Sequence, residues 1–209
     1  SFNANSLISN LLDSKENKEN NLFENNVRMN LNFDEVYLDK ISFVNNLIGK
    51  INITNNKVQE ADILAFFNNS QNIKFTIKIN EQGEKITTLY SDLAKPFVNR
   101  YKFIKGFEDG NLNFHSIKQN NVSNSKLIID NFKVQEVPAL AKLLTLASLQ
   151  GIADLLTGEG IRFTDFEMKF SNKDELMKIE ELYAIGPAIS LLMEGYVECD
   201  DLISLRGPL

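Results

Sequence analysis

Apolar and polar residues alternate along most of the chain, and the period changes in only a few places. Val27, Met29, Leu31 and Phe33 alternate with Arg28, Asn30, Asn32 and Asp34, a period of two that predicts a strand with one wet face. The same period runs through Ile51 and Ile53, and through Ile73, Phe75, Ile77 and Ile79, where "EQGE" around Gly83 then signals a hairpin turn. After "EDGN" at Gly110 it returns in Leu112 with Phe114, and in Leu127 and Ile129 leading to Phe132 and Val134. Towards the end it marks Phe166, Met168 and Phe170, then Met177 and Ile179, then Ile189, Leu191 and Met193, then Val197 and Cys199, and last Ile203 and Leu205. The turns "SNKDE", "GPA" and "CDD" separate these short strands. The pattern predicts an antiparallel meander.

Three stretches follow a helical period instead. Residues 1–26 hold Leu7, Ile8, Leu11 and Leu12 at helical spacing, followed by the polar "DSKENKENN", which predicts a short helix and a linker. In 92–105, Leu93, Phe97, Tyr101 and Ile104 share a face, with Ser91 as N-cap and Gly106 as stop. The third stretch, "PALAKLLTLASLQGIADLLTGEGIRF", has Pro138 in a first turn and Gly158 after the last. Its helix at 138–156 would be about 28 Å long, with Lys142, Thr145 and Ser148 as a narrow polar stripe and leucines around the rest. Crossing a membrane would place Lys142 and Asp154 in hydrocarbon, at about 2.5 to 3.5 kcal/mol for each charge near the centre. The expected class is therefore α+β, mainly β, with 27–209 as a single module after the linker, and the long helix as a plug over one end of the sheet's apolar face through Leu140, Leu144, Leu149 and Ile152.

Charge removes some partners. The 209 residues carry a net charge of -6 with no cluster of Lys and Arg, so the basic footprint that nucleic acid or an anionic surface requires is missing. The abundant Asn, Lys and Ile read as background composition. A lone Cys199 supplies neither an internal disulfide nor a metal site.

Catalytic chemistry has little to stand on. His115, the one histidine, lies on a strand between Phe114 and Ser116 with no nucleophile motif beside it. "GEGIRF" places Gly158 and Gly160 as in a dinucleotide fingerprint but has Phe163 at the third position and leaves a helix where a fingerprint enters one. Glu180-Glu181 and Asp200-Asp201 are neighbours that an extended strand points to opposite faces. The expectation is a protein that is not an enzyme, with no cofactor and no metal.

The order of features in "PALAKLLTLASLQGIADLLTGEGIRF" and "FEMKFSNKDELMKIEELYAIGPAISLLMEGYVECDDLISLRGPL" resembles the carboxy-terminal region of the AsmA-like superfamily, in particular its large YhdP-type members. The shared succession is an apolar helix ending in Gly-x-Gly-Ile-x-Phe, an alternating strand, Gly-Pro-Ala, a strand ending in Gly, and a final Leu-x-Leu-x-Gly-like strand. "ITTLYSDLAKPFVNRYKFIKGFEDGNLNF" is similar to the region before that block. The resemblance implies a fragment of a longer chain anchored in the bacterial inner membrane, with this part in the periplasm and membrane contact through parts not included here. It implies a curved, groove-like sheet along which phospholipid, or another acyl-chain lipid, moves towards the outer membrane, with envelope proteins as further partners. Phe166, Met168, Phe170, Ile179, Ile189, Leu191 and Met193 are the candidate lining. The alternatives are that these residues are ordinary core, and that the module is a structural or docking piece that holds no lipid.

Overall fold

A computed structural model describes Phe2, Asn3, residues 26–98 apart from 40, 56 and 69, residues 106–135, residues 160–198 apart from 175, and residues 203–207. The chain divides into two compact units, Ser1–Ser91 and Asp92–Leu209.

The first unit holds β1 (Phe2–Asn3), β2 (Val27–Tyr37), β3 (Phe43–Thr54), β4 (Lys57–Phe66), β5 (Asn72–Ile79) and β6 (Lys85–Ser91). Strands β2 to β6 pair in chain order and antiparallel, while β1 pairs parallel with β2. Ile51, Ala61 and Ile77 stand in one row across β3, β4 and β5, with Gly49, Ile63 and Phe75 in the next, and most of this face is buried. The opposite face carries Lys50, Asp62, Lys74 and Lys78 in water, as the alternation requires.

The second unit holds α1 (Lys95–Val98), β7 (Phe107–Gln119), β8 (Val122–Val134), β9 (Ile161–Lys173), β10 (Leu176–Ile185), β11 (Ser190–Glu198) and β12 (Ile203–Arg206). All of its strand pairs are antiparallel and join chain neighbours. The described residues are 77% strand and 3% helix, with no helix of seven residues or more. They correct the expected α+β class to an open antiparallel β-sheet architecture.

The expected helix at 92–105 fails at its start for a physical reason. Ser91, taken as an N-cap, is fully buried at the end of β6 opposite Ile73, because Leu89 and Ser91 continue the inward alternation of that strand. Of this span the described residues Lys95–Val98 are helical, held to β7 by Ala94 N–H donating to Gly110 O at 2.8 Å and by Lys95 Nζ at 2.6 Å from Glu108 Oε1, and 99–105 lie outside the described residues. The expected long helix at 138–156, with Leu140, Leu144, Leu149 and Ile152, lies outside the described residues, as do the helix expected around Leu7–Leu12 and Cys199.

The inward-facing set changes parity partway along β7, β8 and β9. Val134 and Phe132 are buried on β8, and then Ile129, two intervening residues away rather than one; β9 does the same between Phe163 and Phe166. Register between the strands does not slip, since Phe132 faces Phe163 and Ile129 faces Phe166. The parity therefore changes at the same level in all three strands, a matched twist of the backbone that turns the side chains over while preserving the ladder. Asp109, Gly110 and Asn131 take positive φ there, at 65°, 76° and 55°. Gly110 is required twice over, because a Cβ on it would also stand 3.0 Å from Phe132 Cβ. Phe132 anchors the twist, stacking on Phe107 at 5.0 Å and Phe163 at 5.3 Å with Phe166 edge-on at 6.3 Å.

Phe132→Ala is expected to lower unfolding free energy by about 3 to 5 kcal/mol, and Gly110→Ala by about 1 to 3 kcal/mol from backbone strain. Urea unfolding followed by circular dichroism checks both; a Phe132→Ala cost below 1 kcal/mol would remove the stack from its anchoring role.

Candidate functional site: an apolar face in the second unit

Register builds one face of the second unit row by row. Leu112, Ile129, Phe166, Ala184 and Leu191 form a row from β7 to β11, and Phe114, Leu127, Met168, Leu182 and Met193 form the next. The third row runs Ser116, Ser125, Phe170, Ile179, Gly195 and Leu205, and the fourth runs Lys118, Ser123, Asn172, Met177, Val197 and Ile203. Phe166, Met168, Phe170, Ile179, Leu191 and Met193 thus share one contiguous patch. Ile189 is half-buried in the connection between β10 and β11, where its carbonyl accepts from Gly186 N–H at 2.9 Å.

Burial divides these residues. Phe170 and Ile179 are 9% and 5% exposed, whereas Phe166, Met168, Leu191 and Met193 are half-buried. Leu205, at the far end of the third row, is 43% exposed. Gly195 keeps that row thin: a Cβ there would lie 2.0 Å from Ser204 O, so no larger residue fits beneath Leu205 without shifting β12.

One signal was missed in the sequence. The alternation expected for Met177 and Ile179 ignores that β10 holds a surplus residue between Ile179 and Leu182 relative to both neighbours. Glu180-Glu181 marks it: this bulge lets Leu182 rejoin the apolar face while Glu181 turns to Lys169 on the other side. Two adjacent acids inside an otherwise alternating strand were the available clue.

The opposite face carries an ionic cluster. Glu167 accepts from Lys126 Nζ at 2.9 Å and from Tyr183 OH at 2.9 Å, while Lys169 Nζ lies 3.5 Å from Glu167 and 2.7 Å from Glu181. The hydrogen bond from Lys126 is the main cause holding Glu167 below the ordinary carboxylate value, against the effect of burial, with Tyr183 and Lys169 reinforcing it. The Glu167 hydrogen bond in turn raises Tyr183, and Glu181 raises Lys169. At the twist, Asp130 faces Asp165 directly. Burial first, then the like charge of Asp165, raise Asp130 above its ordinary value.

His115 is exposed on this charged face, opposite Lys126. Among the described residues no group of three or more His, Cys, Asp or Glu could hold a metal ion, and no helix is long and apolar enough to cross a membrane. Comparison with protein-family models, with curated proteins and with solved structures finds no match.

The two carboxylates should respond to pH with opposite signs. Glu167, depressed in the folded state, contributes stability above the unfolded carboxylate value, and this is lost as pH falls through the folded value. Asp130, raised, costs stability at neutral pH, and the cost disappears on protonation. Glu167→Gln is expected to lower the thermal midpoint at pH 7 and Asp130→Asn to raise it, each by about 2 to 4 °C, with each difference shrinking as acid protonates the carboxylate, Asp130 first and Glu167 last. Calorimetry across pH checks this; a shift of equal size at every pH would assign it to packing.

Proposed function

We propose that the second unit is a lipid-transfer module, without catalytic activity, whose apolar face receives the acyl chain of a phospholipid. The observation that carries the reading is the register, which gathers the half-buried Phe166, Met168, Leu191 and Met193 into adjacent rows across β9, β10 and β11. Strands about 4.8 Å apart let an acyl tail of about 15 Å, half a bilayer's hydrocarbon thickness, lie across some three strands. Met168, Leu182 and Met193 stand side by side in one row, and thioether side chains adapt to tails of different length and unsaturation. Transfer along such a face needs no bond chemistry, only continuous apolar surface without a deep minimum. The AsmA-like resemblance supports this reading, and with it we propose that the chain belongs to the periplasmic part of an inner-membrane-anchored protein that moves phospholipid towards the outer membrane.

The deep burial of Phe170 and Ile179 favours a second reading, in which the face is core and the unit is a structural or docking piece that holds no lipid. Native mass spectrometry with lipid extraction, on the chain purified from bacterial membranes without detergent, separates the two. Phospholipid is expected to co-purify, to be lost in Met193→Asp, and to be retained in Leu192→Asp, whose side chain is 50% exposed on the opposite face of the same strand. A lipid-free mass from folded wild-type protein would establish the docking reading instead.

A further inference from the structure

The face is apolar almost throughout, but one corner is not. Where β7, β8 and β9 approach their hairpin ends, the third and fourth rows carry Ser116, Ser125, Lys118, Ser123 and Asn172 in place of hydrocarbon. Ser123 and Ser125 are buried, at 6% and 8% exposure. Ser125 Oγ donates to Ser116 Oγ at 2.9 Å, which satisfies Ser125 and leaves the Ser116 hydroxyl proton to be donated elsewhere. Lys118 is half-buried on this face opposite Ser123 and makes no ion pair among the described residues. The other described cations of the strands in this unit, Lys126, Lys133, Arg162, Lys169, Lys173, Lys178 and Arg206, alternate onto the opposite face.

The third row is thus polar at one end and apolar at the other. From Phe170 on β9 to Leu205 on β12 there are three strand spacings, about 14 Å, which matches the length of one acyl tail. From the charge complementarity of this corner we infer that it is a headgroup site for a phospholipid of net negative charge: its phosphate meets the Lys118 ammonium and the Ser116 hydroxyl, and its tail runs along Phe170, Ile179 and Leu205. This inference rests on the acyl-chain reading above and adds which lipid the face selects and which way round it lies. A carboxylate-poor corner with one cation suits an anionic headgroup. A zwitterionic headgroup would bring its own ammonium group into the same corner, where Lys118 repels it. In a chain of net charge -6, such selection comes from the local cation and not from general attraction.

The test incubates the 209-residue chain with vesicles of equal phosphatidylglycerol and phosphatidylcholine bearing identical acyl chains, and counts bound lipid by native mass spectrometry. Wild type is expected to retain phosphatidylglycerol over phosphatidylcholine by about two- to fivefold, the scale of one partly exposed charge–charge interaction. Lys118→Gln is expected to bring the ratio near unity without abolishing binding, and Lys118→Arg to keep the preference. Lipid bound without headgroup preference, or a preference unchanged in Lys118→Gln, overturns the headgroup site and leaves the acyl-chain face standing. No lipid on folded wild type overturns both.

Discussion

Main-chain hydrogen bonds tie each strand to its neighbours, so a residue inserted into one strand has to be matched in the next or the ladder loses its register. The second unit respects this constraint by changing parity at the same level in β7, β8 and β9, where Leu112, Ile129 and Phe166 resume one row. The first unit meets it less completely. The inward set on β3 changes parity between Val44 and Leu47, with Asn46 at φ 50°, and β2 follows between Phe33 and Val36, but β4 does not, and the register between β3 and β4 shifts by one. The matched and unmatched cases differ in whether neighbouring strands change parity together, and that decides which side chains share a row.

Strand existence was legible because one wet face leaves a period of two, and Val27 to Phe33, Ile73 to Ile79 and Phe166 to Phe170 all lie in strands as that period indicates. Lys57–Phe66 was missed because Leu64 interrupts the alternation and the small Ala61 and Ala65 supply its buried positions. The helix read from residue 92 starts at Lys95 instead, because the strand before it carries its own alternation through Ser91 to the inside. Asparagine content, read as background, has local use. Every non-glycine residue with positive φ among the described ones is Asn or Asp, at 46, 55, 109, 120, 131 and 174, where a short polar side chain tolerates left-handed backbone. Asn80 and Asn68 add side-chain bonds that close their turns, each accepting from backbone N–H groups two to four residues on.

The candidate face was legible as a set of residues but not as a surface. Phe166, Met168 and Phe170 follow from one strand's alternation, and which residue of β10 or β11 stands beside each depends on the bulge at Glu180-Glu181. The polar corner was less visible still. Lys118, Ser116 and Ser125 look like the wet side of two hairpin strands, although plain alternation from Leu112 along β7 and from Ile129 along β8 carries them onto the same face.

Every described strand from β2 to β6, and again from β7 to β12, pairs with the strand before or after it in the chain. Among these described strands every pairing joins chain neighbours, so the loop-closure cost falls on each connection separately, and the longest lies between Val134 of β8 and Ile161 of β9. The same locality bears on descent. A duplicated or deleted hairpin changes the number of rows' members without breaking a contact between the strands that remain, as in other architectures whose units touch only their neighbours. Length is then the property such a chain alters most cheaply, and a face that grows by whole hairpins can reach a new span while each part keeps its own packing.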